Sequence, residues 1–287
     1  MRTLCIFAIL AMAILLPVLA QAYEVLVLQS RRDPAYEDVL KGFNNVQKVS
    51  KRVIVLSDYA EVDVVRIVRE DQPNMILAIG DAALTATHKI YNTPVVAVMS
   101  LGSHNLKVSR SNLTSIAMIA PPERFIKIFQ TMKTRRVGVI YNPAKSGWYM
   151  KHARQAAEAV GIELVTREVS ESRATIELLS TLAKKVDALW MLPDSTAVTR
   201  ETLEAYFRFG QQHAVPVVSF AASYLGLGAA AVLEINRIDL GRQAGAMVAA
   251  RLGGDEIENM PPEFPKSVVL KTNRTVLKHL DSSLAAE

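Results

Sequence analysis

Short unbroken apolar runs, each followed by a helix-length stretch, constrain this chain more than any other feature. They fall at 24–28, 53–56, 75–79 and 95–98, with helical patterns at 34–47, 62–70 and 82–90 between them. A strand exposed on one face alternates apolar and polar residues. A continuous run is covered on both faces, as in a parallel sheet flanked by helices. The order then repeats, with strands at 137–141, 162–165, 187–192 and 217–218 and helices at 146–159, through 182, and at 197–213. The expectation is an α/β fold of two doubly wound parallel-sheet lobes. The chain beyond them holds a strand at 229–235, a helix at 238–252, a strand at 268–270 and a helix at 272–280. That is too little for a third unit. It predicts a tail returning to the first lobe and then to the second, so that the lobes share a multi-crossing hinge. The predicted lobes are 23–134 with 236–254, and 135–235 with 255–287.

The first 22 residues read as a secretory signal. Arg2 supplies a positive start, 4–19 is apolar, Pro17 breaks the helix, and Ala20-Gln21-Ala22 is a cleavage pattern. The run is shorter than the roughly 20 residues a bilayer span requires. The mature chain is expected to begin at Tyr23 and to be periplasmic, with a leader retained as a membrane anchor as the alternative. The single cysteine, Cys5, lies in that leader, so the mature chain has no disulfide or thiolate chemistry. A net charge of +5, from 33 Lys+Arg against 28 Asp+Glu, is small for 287 residues, and the basic residues are scattered. Clustered cations are the footprint of nucleic-acid binders, and none is expected here.

Little in the sequence marks catalytic machinery. His88, His104, His152, His213 and His279 lack metal-ligand spacing, and there is no P-loop or G-x-S-x-G elbow. No catalytic residue, metal or cofactor is expected. Gly226 to Ala231 fits G-x-G-x-x-A but precedes an apolar run instead of opening a helix, so it reads as a turn.

The candidate site is a cleft. In doubly wound sheets ligands bind at the carboxyl ends of the strands. Asp81, in Ala78-Ile79-Gly80-Asp81, and Asp194, in Met191-Leu192-Pro193-Asp194, both take that place. Each also suits a helix cap, and both readings stand. Asn142-Pro143-Ala144-Lys145-Ser146-Gly147-Trp148 follows a strand and opens a helix. Its backbone N–H groups and Ser146 suit a carboxylate. Trp148, with Tyr149, suits a planar ligand or the neighbouring lobe. Ser219-Phe220 and Ser100 end strands in equivalent positions.

At these residues the chain resembles the extracytoplasmic substrate-binding proteins of ABC importers, of the type I periplasmic-binding-protein fold, in a group with aromatic amino-acid binders. The resemblance rests on Gln29 with Asp33-Pro34-Ala35, on Ala78-Ile79-Gly80 and on Pro94-Val95-Val96. It continues through Val137-Gly138-Val139-Ile140-Tyr141-Asn142-Pro143, Lys185-Val186-Asp187-Ala188 and Leu240-Gly241-Arg242-Gln243-Ala244-Gly245-Ala246-Met247. It implies cleft roles for Gln29, Ser146 and the Asp194-Ser195-Thr196 turn, with Asp194 facing a ligand amine. It also implies a small-molecule ligand, a permease in the inner membrane, a monomer and clamp-like closure. The chain departs from the pattern in three places. Asp81 replaces a usual Thr or Ser, Met99-Ser100-Leu101-Gly102 replaces V-S-D-P, and Phe220-Ala221-Ala222 replaces an acidic pair. An ionised Asp81 repels a carboxylate, so the ligand is expected to be neutral or cationic there, or to place its acid at the Ser146 turn. An exported sensor without transport, and an exported α/β enzyme, remain as alternatives.

Overall fold

The apolar runs become strands of two separate sheets in a computed structural model that describes residues 23–46, 48–103 and 110–280. The expected leader, His104 and the last residues, 281–287, lie outside the described residues. The first lobe runs β1 (Val25–Gln29), α1 (Pro34–Val46), β2 (Lys51–Val55), α2 (Val64–Asp71), β3 (Met75–Ile79), α3 (Asp81–Ala86), β4 (Val95–Val98) and β5 (Leu113–Ser115). Its sheet has the order β2-β1-β3-β4-β5, parallel throughout. Then come α4 (Pro122–Thr131), β6 (Arg136–Tyr141), α5 (Pro143–Glu158), β7 (Glu163–Glu168), α6 (Ala174–Ser180) and β8 (Ala188–Trp190). The chain ends with α7 (Arg200–His213), β9 (Val217–Ser219), β10 (Ala231–Ile235), α8 (Arg237–Leu252), β11 (Val268–Thr272) and α9 (Arg274–His279). The second sheet reads β11-β10-β9-β8-β6-β7. β11 pairs antiparallel to β10, so this lobe is mostly, not wholly, parallel.

Continuous apolar strands form because both faces of each sheet are covered. Val25 and Val27 of β1 pack with Phe43 of α1 and Leu240 of α8, while Leu26 and Leu28 pack with Val64 of α2 and Leu84 of α3. In the second lobe Val137 and Val139 face α4 and α5, and Ile140 faces α6 and α7. Helix α8 lies against α1, and two glycines set that approach. A Cβ at Gly241 would stand 1.9 Å from the Val39 carbonyl oxygen, and one at Gly42 would stand 1.9 Å from that of Ile238. Any larger residue pushes the helices apart.

The chain crosses between lobes three times, near 116–121, 235–237 and 263–268. Ile116 and Glu263 pair side by side, and Ala117 N–H donates to the Glu263 carbonyl at 2.9 Å. Gln243 of α8 fixes the third crossing. Its amide donates to Glu263 at 2.6 Å and to the Phe264 carbonyl at 3.0 Å, and accepts from Lys266 N–H at 3.0 Å.

These crossings move two expected boundaries. Helix α4 is expected in the first lobe, but Phe125 and Phe129 pack on Trp190 of the second, with ring centroids 4.9 and 5.7 Å apart. The stretch from 255 is expected in the second lobe, yet Ile257 is buried in the first lobe's core. An apolar helix face does not say which sheet it will cover.

Candidate functional site

Both sheets share the order two-one-three-four-five, counting from β1 and from β6. Each therefore has a switch point where its first and third strands lie side by side, and the loops leaving those strands form a crevice. In the first lobe these loops start at Ser30 and Gly80. In the second they start at Asn142 and Met191. Gly80 has φ +95°, and a Cβ there would stand 2.5 Å from Ser30 Oγ and 2.6 Å from the Tyr36 hydroxyl. Only glycine turns the chain so sharply there into α3.

A crevice lies between the lobes, with about 410 Å3 of empty space counting its open mouth. Ser100, Leu101 and Ser103 line it from the first lobe, and Lys145, Ser146, Trp148, Tyr149 and Pro193 from the second. The first crossing, at Ala117, Met118 and Ile119, forms its floor. Among the expected residues, Ser100, Ser146 and Trp148 are thus brought together. Sequence reading missed Lys145, although it lies inside the quoted turn. It also missed Met118 and Ile119, which carry no local signal of a site.

Asp81 and Asp194 stand behind the crevice serines. Asp81 is the first residue of α3 and is exposed. Its Oδ1 accepts from Ser100 Oγ at 2.5 Å and from Gly102 N–H at 3.5 Å. These bonds hold the turn after β4, where buried Met99 adopts a left-handed backbone with φ 57°. Such a conformation costs on the order of 1 kcal/mol or more and persists only when its surroundings hold it.

Asp194 is 1% exposed. Its Oδ2 accepts from Asn142 N–H at 2.8 Å and from Ser146 Oγ at 2.7 Å. Its Oδ1 accepts from the N–H groups of Thr196 at 2.9 Å and Ala197 at 3.1 Å. Both oxygens are engaged, and the residue does not line the crevice, so Ser146 stands between it and the crevice. Nor does it start a helix, since α7 begins at Arg200 and is capped by Thr199 in a capping box with Thr202.

The turn before α5 also differs from expectation. Asn142 caps the helix, its Oδ1 accepting from Ala144 N–H at 2.9 Å, while its carbonyl accepts from the N–H groups of Lys145 and Ser146. Its Nδ2 donates to Thr196 Oγ1 at 3.1 Å. The amides expected to hold a carboxylate are therefore already engaged, and Lys145 Nζ is the cation at this wall. It donates to exposed Ser195 Oγ at 2.9 Å. Trp148 stacks on Phe264 with centroids 5.8 Å apart and an interplanar angle of 24°, so it packs on the hinge as well as facing the crevice. Tyr149 is buried against Trp190, its hydroxyl donating to the Ala120 carbonyl at 3.0 Å, and burial pushes its phenol well above the ordinary value.

The remaining expected residues lie away from the crevice. The Gln29 amide turns back to the Arg31 carbonyl at 2.9 Å. Ser219 is buried with no partner for its hydroxyl among the described residues, and Phe220 meets Tyr224 edge-on, their centroids 5.3 Å apart. Among the described residues no cluster of three or more His, Cys, Asp or Glu side chains gathers where a metal could be held, and no helix is long and apolar enough to cross a membrane.

Comparison with known proteins points in the same direction. The chain is 24% identical over 153 residues to a tyrosine-binding protein of Clostridioides difficile, a match covering 53% of this chain and 44% of that protein. It thus spans less than half the length of that relative. Among solved structures it is similar to a ligand-free, open substrate binding protein with adhesive properties from Clostridium difficile, with TM-score 0.69 and 16% identity over 91% of this chain and 95% of that one. It is also similar to an ABC domain in complex with L-Trp from Streptococcus pneumonia, with TM-score 0.61 and 16% identity over 90% and 94% of the two chains. At these identities the structures show the fold. The ABC transporter substrate binding protein family matches residues 35–286, nearly the whole described chain, and the protein belongs to that family.

Proposed function

We propose that this protein is the exported binding component of an ABC importer. It captures a small molecule in the crevice between its lobes and presents it to a permease in the inner membrane. The observation that carries this reading is the composition of the crevice wall: Ser100 and Leu101 from one lobe face Ser146 and Trp148 from the other, beside a chain crossing. A ligand touching both walls gains its full contacts only when the lobes close. Binding therefore shifts the population toward the closed form, whose shape a permease can read. One relative is a tyrosine-binding protein and another was solved in complex with L-Trp, and the apolar part of this crevice, with Trp148, suits a ligand body of that kind. The protein acts as a periplasmic monomer and leaves its ligand chemically unchanged.

The test is to purify the exported protein, identify co-purifying small molecules by mass spectrometry, and add them back to stripped protein. Saturation should raise Tm and reduce the radius of gyration, and the ligand should be recovered intact. If no metabolite binds, or if the bound molecule is converted, the reading fails.

A further inference from the structure

Every hydroxyl lining the crevice points its proton away from it. Ser100 Oγ donates to Asp81, and Ser146 Oγ donates to Asp194. Ser103 Oγ donates to the Ser100 carbonyl at 3.3 Å, and the Tyr149 hydroxyl to that of Ala120 at 3.0 Å. Carbonyls and ionised carboxylates have no proton to give, so the direction of each bond is fixed by chemistry. A hydroxyl has one proton. With it engaged, the oxygen offers a ligand only lone pairs. The N–H groups at the start of α5 are engaged as well.

The charges point the same way. Among the described residues neither Asp81 nor Asp194 forms an ion pair with Lys, Arg or His. Among the lining residues, the one charged side chain is Lys145. Two carboxylates thus accept from the crevice serines with no ion-pair partner of their own among the described residues. A positive charge on the ligand is drawn toward them. The walls that remain, Leu101, Ala117, Met118, Ile119, Trp148 and Pro193, are apolar.

We propose that the crevice selects an organic monocation: an amine with an apolar body, its N–H groups donating to Ser100 and Ser146, and no carboxylate at the serines. This rests on the reading of the crevice as the ligand site, and it narrows that reading. A carboxylate placed at these oxygens would meet lone pairs backed by negative charge.

The test compares amines with their parent amino acids on stripped protein by calorimetry: tryptamine against tryptophan, and phenethylamine against phenylalanine. The expected result is an affinity at least about tenfold higher for the amine, because both members of each pair carry the ammonium and only the amino acid brings a carboxylate against the serine lone pairs. Equal or tighter binding of the amino acids overturns the proposal. In Asp81→Asn the amide can donate to Ser100, freeing the serine proton for the ligand. The amine preference should then fall by about tenfold, with Tm near that of the wild type. An unchanged preference removes Asp81 from selectivity and overturns the proposal for the first lobe. If no amine binds but a co-purified acid or neutral metabolite does, the polarity argument fails while the binding-protein reading stands. If nothing binds, both fail.

Discussion

Asp81 and Asp194 follow corresponding strands of two lobes with the same strand order, yet they do different work. Asp194 is buried and accepts from three backbone N–H groups and one hydroxyl. It ties the loop after β8 to the start of α5 and so builds the wall of the second lobe. Asp81 is exposed and accepts one hydroxyl and one longer backbone contact, both from the turn after β4. The position at the end of a strand is shared. What differs is how much water has been removed and how many donors converge. A buried carboxylate is tolerated only when its lone pairs are filled, whereas an exposed one has water as an alternative partner.

Removing each carboxylate should separate these roles. Asp194→Ala leaves four donors without their acceptor, three of them backbone amides at buried or half-buried sites. The expected loss is about 3 kcal/mol, with Tm lower by roughly 6–12 °C for a chain of this size. From sequence alone, the same variant is expected to weaken binding without unfolding. Urea denaturation decides between them, since a change under about 0.5 kcal/mol would return Asp194 to a pure ligand role. Asn142→Ala removes the cap of α5 and the link to Thr196, and should cost about 1 kcal/mol by the same measurement. Asp81→Ala should change global stability by less than about 0.5 kcal/mol. It should instead speed hydrogen exchange in 99–103, where the strained Met99 turn loses its restraint. If exchange there is unchanged, Asp81 does not hold that turn. One further effect has the opposite sign. The Tyr206 hydroxyl is buried near Asp194 with no hydrogen-bond partner among the described residues, and burial first, then the Asp194 charge, raises its pKa. Tyr206→Phe removes an unsatisfied polar atom and should be neutral or stabilising by up to about 1 kcal/mol. A loss larger than that would mean an ordered water joins Tyr206 to its surroundings.

Much of the fold is legible because parallel strands carry their burial in local composition. β1 and β3 read directly as apolar runs, since both faces of each are covered by helices. Helix starts are less legible. The apolar pattern places the start of α7 at Ala197, but the capping box at Thr199 and Thr202 sets it at Arg200, and the residues between are held as a turn by Asp194. The site is legible in part. Ser100, Ser146 and Trp148 stand out because they end strands or open a helix. Gln29 and Ser219 satisfy the same rule but turn elsewhere, and nothing local distinguishes them. Met118 and Ile119 escape notice because their role comes from lying where the chain crosses between lobes.

The sequence alone determined that two α/β units exist and that a tail returns across them, because period and burial are written in short stretches of residues. It also set the glycines that let α1 and α8 touch, although only the packed helices show why they are needed. Tertiary structure decided which sheet α4 covers, where the lobes divide and which way each hydroxyl points. These depend on partners far apart in the chain: Ser146 and Asp194 meet across the second lobe, and Ser100 and Asp81 across the first. A hydrogen bond's direction follows from what it meets, and no local pattern records that meeting.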